Sequence, residues 1–276
     1  IGYSFATHPG GKGANQAVAT ARLGAKTYFA GCVGQDVFGS LLQRTLALAG
    51  VDVSILRTHP TEPTGTAVIF VDDQGRNSII LTPSANYGIT PEDVASLKPM
   101  FEKVDVLLVQ LEIPLETTEA ALELARACRI LSILDAGPAQ KVPAAILQKA
   151  DIVSPNETEA EAITDMAVRS LDDARAAAAR LRDLGAKEVV LKLGESGALY
   201  MGEDWFHVPA FKVEPLDTVA AGDAFTAALA VAWKKFHDRY EAIRFANAAG
   251  AIATTVEGAQ PSMPTRVAIE TFLRTR

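Results

Sequence analysis

The chain has 276 residues, of which 49% are hydrophobic and 21% charged, with 20 glycines and 14 prolines; that composition suits one large α/β domain with an ample core. A formal net charge of −7 with no basic block argues against nucleic acid as a partner. No apolar run approaches the roughly 20 residues of a membrane helix and no signal peptide is visible, so a cytoplasmic protein without membrane contact is expected.

Residues 1–9 read as short, mixed and weakly strand-like. GGKGANQAVATARLGA follows, with Gly10, Gly11 and Gly13 ahead of a helix predicted from about Ala14 and stopped by Gly24, glycine being common just past a helix end. The run is not a Walker loop, because Gly13 stands where Ser or Thr must follow the lysine. Nor is it a dinucleotide fingerprint, because Gln16 takes the place of the third glycine. What remains is a glycine turn that lets a ligand approach the backbone, with Lys12 and Asn15 as donors to hydroxyls. A solvated lysine and a helix cap are the plainer alternative.

Thr27–Val33 then reads as a strand and Asp36–Ala49 as a helix ended by Gly50. Residues 64–82, TGTAVIFVDDQGRNSIILT, form two β-rich runs joined at the turn Asp72–Gly75. This hairpin interrupts the βα alternation and is expected to project from the main sheet as a lid. Thr90 caps the next helix, with Pro91 in its first turn. Cys32 and Cys128 lie far apart in apolar surroundings and read as a buried, reduced pair. His8, His59, His207 and His237 are too scattered for a metal site.

From here the βα rhythm is regular. Val104–Leu111, Ile130–Leu134, Asp151–Ser154 and Lys187–Leu193 are nearly continuous apolar runs, as parallel strands buried on both faces require. Helical stretches lie between them, including 115–127 and the amphipathic Ser170–Leu184, stopped by Gly185. The alternation predicts a parallel sheet covered by helices on both sides. Polar residues gather at the strand ends: Glu112, Asp135, then Asn156, Glu157 and Glu159, then Lys192, Gly194 and Gly197. Singly each could be a loop residue or a cap; together they outline the rim at which open α/β sheets bind ligands.

The stretch PLDTVAAGDAFTAALAVAWKK, Pro215–Lys235, begins with Asp217 and small residues and turns helical at Asp223, with Phe225, Ala228, Leu229 and Ala232 on one stripe. The free N–H groups of a first helical turn form an anion site, and Ala220, Ala221 and Gly222 leave room for a phosphate. A carboxylate there repels a phosphate, so Asp223 is expected to take the proton from a hydroxyl that attacks it. The plainer alternative is an Asp cap.

These residues resemble the ribokinase family of ATP-dependent sugar kinases. GGKGANQA with Gly24 and Gly34 resembles its first signature and DTVAAGDAFTAAL its second; PNETEAE at 155–161 and GAQPS at 258–262 are similar too, and the likeness spans 8–273. It implies a mostly parallel central sheet with helices on both faces and a small β lid. It also implies transfer of the γ-phosphoryl group of ATP to the 5-hydroxyl of ribose. Asp223 would be the base, with the Ala220, Ala221 and Gly222 amides holding the phosphoryl group. Gly11, Lys12, Gly13, Asn15 and Glu112 would hold the sugar. Asn156 and Glu159 would organise Mg²⁺ and phosphates through water. Lys192, Gly194, Gly197, Gly222 and Asn247 would line the ATP site. Asp217, Val219, Ala253, Val256, Gly258 and Ser262 would surround K⁺. The hairpin would cover the sugar and join a homodimer.

The sequence departs from the family pattern in three ways. The family opens with a strand carrying an Asn and an Asp that grip the sugar, and these are expected to be absent from residues 1–276, with part of the lid. Lys192 stands where Thr is frequent, and Asn247 where His is. DAGPA replaces NPAPA after the third strand. Two alternatives stay open: a kinase for another sugar or nucleoside, and a catalytically silent sugar- or nucleotide-binding protein, against which Asp223 argues.

Overall fold

The computed structural model describes residues 3, 6–71 and 77–276. Before the main sheet, β1 (Gly31–Gly34) and β2 (Leu56–His59) pair in parallel, and β3 (Thr66–Val71) and β4 (Asn77–Thr82) pair antiparallel. The register of that hairpin runs from Thr66 opposite Thr82 to Val71 opposite Asn77; its expected turn, Asp72–Gly75, lies outside the described residues. The central sheet has six strands in the order β10-β9-β8-β7-β6-β5. Of these, β5 (Val106–Val109), β6 (Leu131–Asp135), β7 (Ile152–Ser154) and β8 (Glu188–Lys192) are parallel. The last two, β9 (Ala198–Met201) and β10 (Trp205–Val208), continue it antiparallel.

Alternation along the strands explains the apolar runs. Leu134, Val153, Val189 and Leu191 point to one face, where they pack with Leu122, Leu147 and Leu181. Ile133, Ile152 and Val190 point to the other, against Phe225, Leu229, Ile243 and Ala246. Helices therefore cover both faces: Leu115–Cys128 and Leu171–Asp183 on the first, Ala221–Lys235 and Arg239–Ala253 on the second. A third cluster sets Ala14, Ala17 and Val18 of the helix Lys12–Arg22 against Ala224 and Ala227. Small residues on both sides let the two helix starts lie close together, and this packing assembles the site.

Several boundaries differ from the sequence reading. The first helix begins at Lys12, because Gly11 takes φ 94° and caps it. The strand expected over Thr27–Val33 is Gly31–Gly34; upstream, Tyr28 makes only an isolated bridge to Asp52. The described part of residues 1–9 forms no strand. Strands β2, β9 and β10, short and without long apolar runs, were not expected. Cys32 is buried but Cys128 only partly so, and both are free thiols.

Candidate active site

The two helix starts meet through side chains. The helix Ala221–Lys235 begins two residues before Asp223, because Ala220 adopts the left-handed region at φ 60°. Asp223 therefore sits inside the first turn, and no side-chain hydrogen bond caps this helix. That removes the Asp-cap reading. Its carboxylate turns to the neighbouring helix, where Asn15 Nδ2 donates to Oδ2 at 2.8 Å and Gln16 Nε2 to Oδ1 at 3.2 Å. At the turn itself, Ala221 N–H donates to Thr218 O at 3.3 Å. Among the described residues, the N–H groups of Ala220 and Gly222 have no such partner.

Below this lies Asp135, wholly buried at the end of β6. It accepts hydrogen bonds from Gln16 Nε2 at 2.7 Å, Lys192 Nζ at 3.0 Å and Thr226 Oγ1 at 3.2 Å. One amide group, that of Gln16, thus bridges Asp135 and Asp223, and Gln110 Nε2 fixes its orientation by donating to Gln16 Oε1 at 2.5 Å. Burial would raise the Asp135 carboxyl, but Lys192 and Lys12 with the hydrogen bonds hold it below its ordinary value. Asp223 is pushed up to about 6 by burial, with Asp135 adding to the rise and Lys12, Asn15 and Gln16 opposing it.

Lys12 joins the two halves of the rim. Its backbone N–H donates to Glu112 Oε2 at 2.8 Å, and its ammonium lies 3.5 Å from Glu159 Oε1. A Cβ on Gly137 would have to displace that ammonium and Glu159 Oε1. Burial would lower the Lys12 ammonium, but Asp135, Asp223, Glu159 and Glu112 together raise it. Burial pushes the Glu112 carboxyl up despite Lys12. Asn156 and Glu159 form a capping box: Asn156 Oδ1 accepts from Glu159 N and Glu159 Oε2 from Asn156 N, each at 2.8 Å.

The remaining candidates fall into two groups. Gly197, at φ 96°, leaves no room for a Cβ against the backbone of Val208–Ala210. Asn247 Nδ2 donates to Val208 O and Pro209 O at 3.0 and 3.2 Å, so both residues hold the same segment. Gly194, at φ 51°, opens the short turn before Gly197. Asp217 accepts from Val219 N at 2.9 Å and from Gly258 N at 2.8 Å. Leu216 N and Asp217 N donate to Thr254 O, just past Ala253. Val256 N donates to Ala253 O, and the Ser262 hydroxyl turns to Ala259 O. Among the described residues no three His, Cys, Asp or Glu side chains form a metal cage.

A cleft of about 2000 Å³ opens beside these groups, lined by Gly11, Gly13, Asn15, Gln16 and Glu112 and bordered by the hairpin residues Val68 and Leu81. A Cβ on Gly13 would press on Gln110 Oε1 at 3.0 Å, so the glycine keeps the cleft floor tight. Sequence reasoning treated Gln16 only as a missing glycine. Its signal was present: Lys12, Asn15 and Gln16 stand at helical spacing on an alanine-rich helix.

Comparison with known proteins places the chain in a family. The sequence pattern of the pfkB family carbohydrate kinases matches residues 2–266. The chain is 38% identical to a ribokinase of Haemophilus influenzae, covering 99% of this chain and 89% of that one. It is 37% identical to a deoxyribokinase of Salmonella typhimurium, covering 92% and 84%. Among solved structures it is similar to Arabidopsis thaliana ribokinase complexed with ribose and ATP, with a TM-score of 0.89, 34% identity and coverage of 96% and 87%. Taken with the joined helix starts, these matches make the chain a member of the pfkB family of carbohydrate kinases.

Proposed function

We infer that the chain is an ATP-dependent ribose kinase, forming ribose 5-phosphate and ADP. The observation that carries this reading is the Asp223 carboxylate, held by Asn15 and Gln16 at the start of a helix where the N–H groups of Ala220 and Gly222 have no partner among the described residues. In the reaction the 5-hydroxyl oxygen bonds to the γ-phosphorus while the bond from that phosphorus to the bridging oxygen breaks. The hydroxyl proton passes to Asp223 and the bonding pair leaves with ADP. The amides of the turn face the phosphoryl oxygens, where charge shifts.

Gly11, Gly13, Asn15 and Glu112 line the cleft where the sugar binds, and Lys12 joins them through its backbone N–H on Glu112. Mg²⁺ neutralises phosphate charge in such transfers and keeps much of its water shell. Asn156 and Glu159 supply hard oxygen donors suited to that outer role, since their carboxylate and amide already cap a helix. Lys192, Gly194, Gly197 and Asn247 border the ATP side. K⁺ would sit among Asp217, Val219, Ala253, Val256, Gly258 and Ser262, where Asp217 still has lone pairs to offer.

The hairpin reads as a lid and a dimer contact. Val68, Ile69, Phe70, Ile80 and Leu81 are all about half exposed on it, so it carries apolar side chains on both faces. Among the described residues, β5 is an edge strand of the six-stranded sheet. No helix among the described residues is long and apolar enough to cross a membrane, and the reading places the enzyme in the cytoplasm. The test is ADP release with a panel of pentoses, hexoses and nucleosides. Ribose should be preferred; deoxyribose is the second reading, supported by the deoxyribokinase similarity. A tenfold or greater preference for a nucleoside or ketose (about 1.4 kcal/mol) overturns both.

A further inference from the structure

Lys192 ends β8 and Asp135 ends β6, with β7 between them. Their side chains meet across the end of β7 at 3.0 Å, with 10% and 0% of each exposed. Asp135 is also filled by Gln16 and Thr226. Lys192 is not filled. An ammonium has three donors, and among the described residues only Asp135 accepts a hydrogen bond from it; Glu159 Oε2 stands off at 3.9 Å. A second observation shows where the spare donors lie. A Cβ built on Gly222 would have one neighbour within 4 Å, Lys192 Nζ at 4.0 Å. The ammonium therefore lies beside Gly222, whose N–H has no backbone partner among the described residues, in the first turn of a helix whose dipole favours an anion.

We propose that Lys192 is a catalytic residue of this chain that contacts phosphate, with Asp135 as its positioning residue. The inference deepens the kinase reading and rests on it. The ammonium holds an oxygen of the ATP polyphosphate while the sugar oxygen bonds to the γ-phosphorus and the bond to ADP breaks. The proton goes to Asp223, and the electron pair that leaves on ADP builds negative charge beside Lys192. Two departures from the family pattern, Lys192 and the aspartate of DAGPA, thus prove to be partners in one buried pair.

Lys192→Met alone would strand the buried Asp135 carboxylate, so the main test uses Asp135→Asn with Lys192→Met, which removes both charges together. ATP and AMP are titrated by calorimetry into wild type and the double variant without sugar, and turnover is measured separately. If the double variant does not fold, Lys192→Gln, which keeps a donor to Asp135, is read in the same way. Expected are AMP affinity within about twofold of wild type, ATP affinity at least about tenfold weaker, and a turnover loss of about tenfold or more. Unchanged ATP affinity overturns the proposal. So does an equal loss for AMP and ATP, the pattern of a pair that only supports the fold. A wild type that binds neither nucleotide overturns the kinase reading, and the proposal with it.

Discussion

Asn15 and Asp223 are 208 residues apart in the chain, and Asn15 Nδ2 donates to Asp223 Oδ2 at 2.8 Å. The contact exists because two alanine-faced helices pack closely, Ala14, Ala17 and Val18 against Ala224 and Ala227. It turns a buried carboxylate toward Asn15 and Gln16, which line the cleft, instead of toward its own helix end. A base must be held in position and still be free to accept a proton, and an amide donor does the first without preventing the second.

Asp223→Asn tests this directly. Turnover should fall by about 10²–10⁴, the range for a lost general base, while ATP binding is kept or tightened as the charge beside the phosphates goes. Folding should change only modestly, because the asparagine oxygen keeps one of the two amide donors and Asn15 Oδ1, without a partner among the described residues, can turn to accept from the new NH2 group. Steady-state kinetics with ATP titration on both proteins decides, and turnover within threefold of wild type (about 0.7 kcal/mol) would remove Asp223 from the role.

The pH profile follows from the same residue. Burial, with Asp135 adding to it, raises the Asp223 carboxyl to about 6, and the base works only when deprotonated. The rate at low substrate should therefore fall about tenfold per pH unit below that value and level off above it. Stability carries the opposite sign. The folded state holds this proton more tightly than the unfolded chain, so the group costs stability as pH rises from the ordinary carboxylate value to about 6. A profile flat from pH 5 to 8 (a range spanning the value near 6) would exclude a base with this environment.

How much of this was legible in the sequence depended on range. The parallel strands showed as apolar runs because Ile133, Ile152 and Val190 and their neighbours are buried on both faces. The glycine turn and Asp223 stood out through local spacing. The Gln16 bridge did not, since its partners Asp135 and Asp223 lie 119 and 207 residues away and no local period encodes them. Strands β9 and β10, of four residues each, are too short for a period to declare itself. The start at Ala221 was hidden because alanine rarely takes the left-handed region that Ala220 occupies.

Gly197 tests the other side of the site. Its φ of 96° and its approach to Val208 O and Ala210 N exclude a side chain. Gly197→Ala should cost about 1–3 kcal/mol, and moving the 208–210 segment should also break the Asn247 hydrogen bonds and weaken ATP. Chemical denaturation and nucleotide titration measure the two effects. An alanine variant as stable as wild type would show that this turn is not constrained as described.

The last prediction concerns the monovalent cation. Asp217 ties Val219 N and Gly258 N to one carboxylate, next to the turn whose Ala220 and Gly222 amides are proposed to face the phosphoryl group. A K⁺ ion among the nearby carbonyls would fix that turn further, so turnover should be higher in potassium than in sodium, and lowest in a large organic cation at the same ionic strength. Asp217→Ala should lower turnover in every salt, because it frees both loops, and should also shrink the difference between the salts. The second effect separates the two roles. A carboxylate that only braces the loops would slow the enzyme equally in all three salts, and wild-type rates that are the same in potassium and in the organic cation would end the case for a cation site.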